Sequence, residues 1–344
     1  MTETVVSPSP RNYRKIYADE ARRLSQISPV RVCGVVAREW VQIVAAFALP
    51  MLTVSGFAGT TDLVAAAPVL SGWQWAVLAC VFVFSVLLAA CKQHALGVIL
   101  HDATHFRLLE SRSANEWVSN WFCAFPIGFV TSNYRRGHLP HHVFTNKQAD
   151  PYWVRLSKDP QYAVPMSRRA FARIVARDVL GLNWTSWWPI VRYWTGWPFI
   201  LRNDEKLLTP SERVQFALFW ILATGLVVWS GIWPYFLVVW LFPMFTVSLA
   251  FIRMRIIAEH DLAQQHDELI RTRHVDGTWL ERFALAPLSI NFHIAHHLFP
   301  SVPLYNLPEL HALLVRDEEF SSKAQLWRTY WGREDGLLTG LIRG

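Results

Sequence analysis

The chain has 344 residues, a formal net charge of +7 and a hydrophobic content of 52%, but only 17% of its residues are charged. A soluble globular domain carries about 25% charged residues, so the composition excludes an ordinary soluble protein and predicts an integral membrane protein. Because the apolar residues are concentrated in blocks rather than at amphipathic spacing, we expect a single membrane domain.

Four apolar blocks are long enough to be transmembrane helices, since a span needs about 20 mostly apolar residues. In chain order they are residues 41–58, 73–100, 214–230 and 233–252. The second block is long enough to cross the bilayer and still project roughly a turn or two beyond the hydrocarbon. We therefore predict an all-α integral membrane fold with four transmembrane helices.

The distribution of charge predicts how these helices are oriented. The joints at residues 60–72 and 230–233 contain no Lys or Arg, whereas the N-terminal arm and the segment after the second block are rich in both. By the positive-inside rule, the four helices form two hairpins that enter from the cytoplasm. We expect a cytoplasmic N-terminal arm (1–38), a membrane domain with a cytoplasmic helical cap (39–315) and a cytoplasmic C-terminal tail (316–344).

Two further apolar stretches are predicted not to cross the membrane. Residues 117–131 are too short for a span and contain Pro126. Residues 179–200 contain Arg192 and five tryptophans. An arginine at mid-bilayer costs at least about 2.5 kcal/mol, and tryptophan prefers the membrane interface. We expect this second stretch to lie on the membrane surface.

Histidines recur in three short motifs. The motifs are HxxxH at His101 and His105, HxxHH at His138, His141 and His142, and a second HxxHH at His293, His296 and His297. Spacings of three and four place side chains on one face of a helix, about 5–6 Å apart at Cβ. Each motif can therefore direct two or three imidazoles to one point, and the predicted topology puts all three motifs on the cytoplasmic side.

Eight imidazoles are too many ligands for one ion, because a structural zinc takes four ligands and a catalytic zinc three plus water. The count therefore predicts a site for two metal ions. Imidazole binds zinc, copper, iron and nickel alike, so these residues alone leave the metal undetermined. The local sequence also predicts where the motif helices begin, with Pro140 in a first turn and Asn291 as an N-cap.

The three motifs, in this order and with the first after the second span, resemble those of the membrane fatty acid desaturase superfamily. The resemblance covers about residues 40–315 and includes the stretch NFHIAHHLFPSVPLYNLPELH. It implies a non-haem centre of two iron ions that uses O2 and two electrons to attack an unactivated C–H bond. It also implies a ninth ligand at the cytoplasmic end of the fourth span, where RIIAEHD supplies His260, and no catalytic side chain beyond the metal centre.

Polar residues near the motifs are candidates for orienting the ligands. Metal-bound histidine usually donates its other N–H to a carboxylate or carbonyl, so we expect such contacts from Asp102, Asp150, Glu259, Asp261 and Asn291.

The remaining histidines are assigned no metal role. His94 lies about 10 Å along the helix from His101 and is expected to be a hydrogen-bonded structural residue. His266, His274 and His311 are expected at the surface.

The resemblance implies desaturation of an acyl chain or a similar apolar substrate. Similar motifs occur in hydroxylases and ketolases that act on lipids or carotenoids and in enzymes of small amino-acid-derived substrates, which remain alternatives. Two other classes explain less of the sequence. An intramembrane zinc protease, suggested by the likeness of HDATH to HExxH, leaves six histidines unused, and a metal transporter would place its ligands at the bilayer midplane.

The sequence contains no redox domain of its own. It lacks the HPGG haem motif, and its four cysteines form no CxxC pair. We therefore expect electrons from a separate ferredoxin-like or cytochrome-like protein and its reductase. Membrane lipid is the other expected partner, and no nucleic-acid motif is present. The excess of Lys and Arg suits anionic lipid and also an acidic electron donor.

Overall fold

A computed structural model of the protein describes residues 11–198, 207–263, 267–332 and 335–343. Four of its helical segments are long and apolar enough to cross a membrane: Pro29–Val69, Gly72–Thr104, Pro210–Trp229 and Trp233–Glu259. Each overlaps one of the predicted blocks, so the prediction of four spanning segments is confirmed.

The first two spans consist of long helices. The N-terminal elements are α1 (Tyr13–Ile16), α2 (Ala18–Leu24), α3 (Pro29–Ala58), α4 (Leu63–Ala66), a 3-10 turn (Ala67–Val69) and α5 (Gly72–Thr104). α3 begins before the predicted start at residue 41, because Ser28 caps it and Pro29 occupies its first position. α5 has 33 residues, or about 50 Å of helix against about 30 Å of hydrocarbon. The helix is therefore long enough to extend several turns beyond the hydrocarbon.

The segment between the second and third spans contains short elements. They are α6 (Arg112–Ser119), a π-helix (Asn120–Ala124), 3-10 turns (Phe125–Ile127 and Pro160–Tyr162), α7 (Thr131–Phe144), α8 (Pro151–Leu156), β1 (Met166–Ser167), α9 (Arg168–Val179) and α10 (Trp184–Trp194). None of them is long enough to span, as predicted for residues 117–131 and 179–200. Trp184 and Trp188 on α10 are exposed, which suits the membrane interface. Phe199 and Ile200, the end of the second stretch, lie outside the described residues.

The fourth span is interrupted rather than a single continuous α-helix. The elements of this half are α11 (Pro210–Trp229), α12 (Trp233–Tyr235), a π-helix (Phe236–Leu241), α13 (Phe242–Met244) and α14 (Val247–Glu259). The break falls at Thr246, whose φ of −136° and ψ of −94° are not helical. α14 nevertheless continues past the predicted end at residue 252, up to the residue before His260.

The C-terminal third completes the part of the described structure that lies outside the four spans, which we call the cap. Its elements are β2 (Arg273–Val275), α15 (Trp279–Leu285), 3-10 turns (Pro287–Ser289 and Leu304–Asn306), α16 (His293–Leu298), α17 (Leu307–Leu314), α18 (Glu318–Lys323), β3 (Gln325–Trp327), α19 (Leu337–Leu341) and β4 (Ile342–Arg343). β1 pairs with β4 and β2 with β3, both in parallel. These short pairs depart from the predicted all-α fold, because strands of two or three residues have no detectable alternating pattern.

The core of the cap includes the C-terminal segment. Ile294 of α16 and Leu310 of α17 pack in one buried cluster with Phe320 and Leu337, so residues before and after 315 share a hydrophobic core. The span helices, by contrast, expose apolar side chains outward, such as Ile221 at 69% and Trp229 at 85%. Lipid is the solvent that suits such a surface.

Candidate metal centre

The nine histidines singled out in the sequence come from the ends and faces of four helices. His101 lies in the last turn of α5 and His105 caps its C-terminus. α7 carries the second motif and α16 the third. His260 caps the C-terminus of α14. Because α5, α14 and α16 all end at this point, side chains distant in the sequence are brought together there.

The imidazoles form adjoining groups. In the first group the ligand atoms of His101, His105, His138, His142 and His296 lie within 4.8 Å of one another. The same limit holds for His141, His260 and His297, and for Glu259, His260 and His293. All nine histidines are therefore brought together, in groups that could each hold a metal ion.

The Nε2 atoms of different motifs face each other across the cluster. Nε2 of His105 lies 3.0 Å from Nε2 of His138, and Nε2 of His296 lies 3.1 Å from Nε2 of His142. In the other group, Nε2 of His293 is 2.9 Å from Nε2 of His260. Nitrogen atoms that converge in this way are arranged as ligands around shared points.

The electrostatic environment favours neutral imidazoles, the form that binds metals. Burial lowers the pKa of His260 and of His293 well below the usual value. Burial and, second, the charge of Arg107 lower the pKa of His105 to about 3. Both ring nitrogens of His101 are buried without a hydrogen-bond partner, an arrangement that is unfavourable unless a ligand such as a metal ion satisfies it. The donor set thus fits metal ions.

Asp150 orients one of these histidines. It is fully buried, and its Oδ2 accepts a hydrogen bond from His141 Nδ1 at 2.8 Å. The same oxygen accepts from the Asn146 amide at 2.9 Å, and Oδ1 accepts from the Tyr152 amide as the N-cap of α8. These two backbone amides therefore fix the carboxylate independently of its hydrogen bond with the imidazole.

Glu259 reaches the cluster less directly. Its Oε1 accepts from Arg255 Nε at 2.7 Å, while its Oε2 lies 3.7 Å from His293 Nε2. This carboxylate faces the ligand atom itself rather than the outer nitrogen of the ring.

The other three expected orienting residues form their hydrogen bonds elsewhere. Asp102 Oδ2 accepts from the Leu304 amide at 3.4 Å, Asp261 Oδ2 lies 2.8 Å from Arg273 Nη2, and Asn291 Nδ2 donates to the Val275 carbonyl at 3.0 Å. These three residues are near the motifs in sequence, but the hydrogen bonds of their side chains are not made with motif imidazoles.

The predicted starts of two motif helices are wrong. α7 begins at Thr131, so Pro140 lies inside the helix rather than in its first turn. The N-cap of α16 is Phe292, with no capping side chain. Asn291 lies one residue before this N-cap; its Nδ2 donates to the Val275 carbonyl of β2, and its Oδ1 accepts no hydrogen bond from the helix.

Sequence reasoning missed several contacts to the cluster. Thr145 Oγ1 lies 3.3 Å from His297 Nδ1 and donates to the His141 carbonyl at 2.8 Å. Arg107 Nε donates to the His105 carbonyl at 2.9 Å and Arg14 to the His297 carbonyl at 3.3 Å. Cations suit the carbonyls at helix C-termini. A sequence signal exists only for Thr145, which follows the second motif by three residues.

The predictions for the remaining described histidines are confirmed for one residue and wrong for two. His94 Nδ1 lies 3.0 Å from the Ala284 carbonyl, which confirms its structural role. His274 and His311 are only 2% and 9% exposed, so their predicted surface position is wrong. They stack with ring centroids 4.0 Å apart, so a side chain of β2 and one of α17 meet in the interior. His266 lies outside the described residues.

An apolar cavity leads to the cluster. A cavity of about 490 Å³ is lined by aliphatic, aromatic and a few polar side chains, including Trp187 of α10. A smaller cavity is lined by histidines of all three motifs. Both are lined by Tyr134, Trp194, Ile252 and Arg255, so the two cavities adjoin at these side chains.

Comparison with known proteins gives consistent matches. The family model described as Fatty acid desaturase matches residues 73–330. The chain is 25% identical to the dihydrorhizobitoxine desaturase of Bradyrhizobium elkanii, with 71% of this chain and 70% of that protein covered. It is 29% identical to the sn-1 oleoyl-lipid 12-desaturase of Synechocystis sp., covering 63% of each. It is 28% identical to the chloroplastic omega-6 fatty acid desaturase of Glycine max, covering 63% of this chain and 52% of that protein.

Proposed function

The chain belongs to the fatty acid desaturase family, and on that premise we propose that it is an O2-dependent di-iron oxidoreductase that desaturates an apolar substrate. The observation that carries the proposal is the convergence of nine histidines, from four helices, beside an apolar cavity. A zinc protease or a metal transporter would leave both the family match and most of the histidines unexplained.

The proposed iron ligands are the nine histidines of the cluster. The first group would hold one ion, through His101, His105, His138, His142 and His296. The other ion would be held by His141, His260, His293 and His297, with Glu259 beside it. When bound, the two irons supply the O2-activating chemistry. Overall, one O2 takes two hydrogen atoms from adjacent carbons, together with two electrons and two protons, which yields a double bond and two waters.

The protein's own side chains position the reactants. Asp150 and Thr145 fix the rings of His141 and His297 through their Nδ1 atoms. Tyr134 and Trp194 stand where the large cavity meets the small one. A substrate held against these two rings would present its C–H bonds to the cluster, and the apolar lining of the large cavity would exclude bulk water from the reacting carbons.

An acyl chain is the first choice of substrate. The cavity of about 490 Å³ falls within the usual range for ligand sites, about 300–1,000 Å³, and its apolar lining suits a hydrocarbon. A non-lipid small molecule is the second candidate, favoured by the similarity to a dihydrorhizobitoxine desaturase and by Gln93, His94 and Arg255 in the cavity wall. A hydroxylase or ketolase would use the same centre but return oxygen to the substrate.

The decisive experiment is activity reconstitution with product identification. Purified protein, supplied with O2, a ferredoxin or cytochrome donor and its reductase, is expected to convert a lipid or metabolite into a product lacking two hydrogen atoms. Mass spectrometry of lipids and polar metabolites would identify it. A product with one added oxygen atom would instead indicate hydroxylation. Turnover under strict anaerobiosis, or with no donor, would exclude the proposed chemistry.

We further propose that the four spans form two hairpins, with both termini and the metal centre on the cytoplasmic side. The arginine-free joints support this orientation. Reporter fusions after Gly72 and Gly231 should therefore report the outer face, and fusions after Lys147 and Gly344 the inner face. An outward-facing fusion at Lys147 would contradict the orientation.

A further inference from the structure

The first group of imidazoles is nearest to solvent at two of its members. His101, His138 and His296 are buried, whereas His105 and His142 are partly exposed. His142 is followed in the chain by Val143 and Phe144, which are exposed. This edge is therefore one of the places where the cluster comes near the protein surface, and the partly exposed His260 marks another.

Exposed apolar side chains lie beside this edge, on the outer side of α7. Leu139 and Val143, each next to a motif histidine in the chain, are 38% and 68% exposed. Arg136, one turn earlier, and Lys147, just after the helix, are also exposed. We call Arg136, Leu139, Val143 and Lys147 the outer strip. An apolar centre with charged ends is the usual composition of a transient protein interface.

The charge of this region is positive. Among the described residues, neither Arg136 nor Lys147 forms a salt bridge with a carboxylate; Arg136 instead donates to the Leu207 carbonyl. The loop that follows His105 adds Phe106, whose ring lies under the guanidinium groups of Arg135 and Arg112, at 4.1 and 4.9 Å. Arg135 is neutralised by Glu116, and the same loop carries the exposed Glu110 beside Arg112 in the sequence, so the net positive charge is that of Arg136 and Lys147 in the strip.

We propose that the outer strip is the docking site of the electron donor, an acidic protein with a one-electron redox centre near its surface. This rests on the proposed function, which needs two electrons per double bond and takes them from a separate protein. The donor would bind twice per turnover, each time losing one electron to the metal centre and leaving oxidised. Opposite charge speeds such encounters and fixes their orientation.

The test compares two sources of electrons. The test variants are Val143→Asp and Lys147→Glu. The control variants are Val30→Asp and Lys158→Glu, which alter exposed residues of the same types outside the strip. Each variant is assayed with an acidic [2Fe–2S] ferredoxin and its reductase. Separately, it is reduced anaerobically with methyl viologen radical, freed of the reductant and then given O2, and the product of this viologen-driven turnover is measured. The strip variants should raise the KM for ferredoxin about tenfold, since charge at an interface rim governs association. Their iron content and viologen-driven turnover should match the unaltered protein, as should both activities of the control variants.

Three outcomes separate the possibilities. An unchanged KM for ferredoxin in the strip variants would overturn the docking site, and so would an equal rise in the control variants. If the strip is instead covered by lipid, the variants should change ferredoxin-driven and viologen-driven turnover alike, which also overturns the proposal. Failure of the unaltered protein to form product from either source of electrons, once O2 is added, would refute the proposed function itself.

Discussion

His260→Ala is expected to remove one of the two irons and to lower product formation at least about 100-fold, since loss even of a residue that only orients a metal ligand costs 10- to 100-fold. His260 Nε2 lies 2.9 Å from His293 Nε2, and its ring centroid is 4.8 Å from that of His141. Its backbone is held independently, because its carbonyl accepts from Arg273 and it bridges to Thr272. The backbone therefore cannot shift to close the gap. Iron per protein and turnover are the measurements.

Two further variants are needed to interpret this result, one as a comparison and one as a control. His101→Ala should be equally severe, because it removes a member of the first group. His311→Ala also deletes a buried imidazole, but His311 stacks on His274 away from the cluster, so it should retain both irons even if the protein is less stable. Two irons and normal turnover in His260→Ala would leave the centre with eight histidine ligands and refute this assignment.

Asp150→Ala is expected to weaken iron binding or turnover by about 10- to 100-fold, the usual effect of losing a carboxylate that orients a ligand. Without Oδ2, the His141 ring loses the hydrogen bond that fixes its Nδ1. The variant should also lose about 1 kcal/mol of stability, because Asp150 caps α8. Competition with an iron chelator, a turnover assay and thermal unfolding would measure the three effects separately.

Asp159→Ala is the matched control for this variant. Asp159 is likewise an N-cap followed by proline, and its Oδ1 accepts from the Gln161 amide at 2.9 Å. It contacts Ser186 rather than a histidine. It should lose a comparable amount of stability while iron affinity stays unchanged. If the two variants bound iron equally well, Asp150 would be a structural cap without influence on the metal centre.

Two tyrosines pack against imidazoles of the histidine cluster. Tyr134 stacks on His138 with ring centroids 5.3 Å apart, and Tyr152 stacks on His141 at 4.8 Å. Burial raises the pKa of Tyr134 to about 12, so its phenol stays protonated at physiological pH. Neutral rings packed against the imidazoles hold their orientation without adding charge to the cluster.

Local patterns determined much of this protein. The length of each apolar block gave the four spans, because a helix must be about 20 residues long to cross the bilayer. The three- and four-residue spacing of histidines placed each motif on one helix face, and the number of imidazoles indicated two metal ions. The extension of α14 to Glu259 lies beyond the predicted end of the fourth block, and His260 was singled out by the resemblance to the desaturase superfamily rather than by the apolar pattern.

Only the tertiary structure decided which side chains meet. Asp102 is adjacent to His101 in the sequence and Asp150 lies eight residues after His142, yet it is Asp150 that reaches an imidazole. His274 looked like a surface residue and is buried, where it stacks on His311 of α17. The division of nine histidines into groups depends on contacts such as that of His296 with His142, which are 154 residues apart. Periodicity describes the faces of single elements, whereas these contacts arise from how separate helices pack, which no short stretch of sequence encodes.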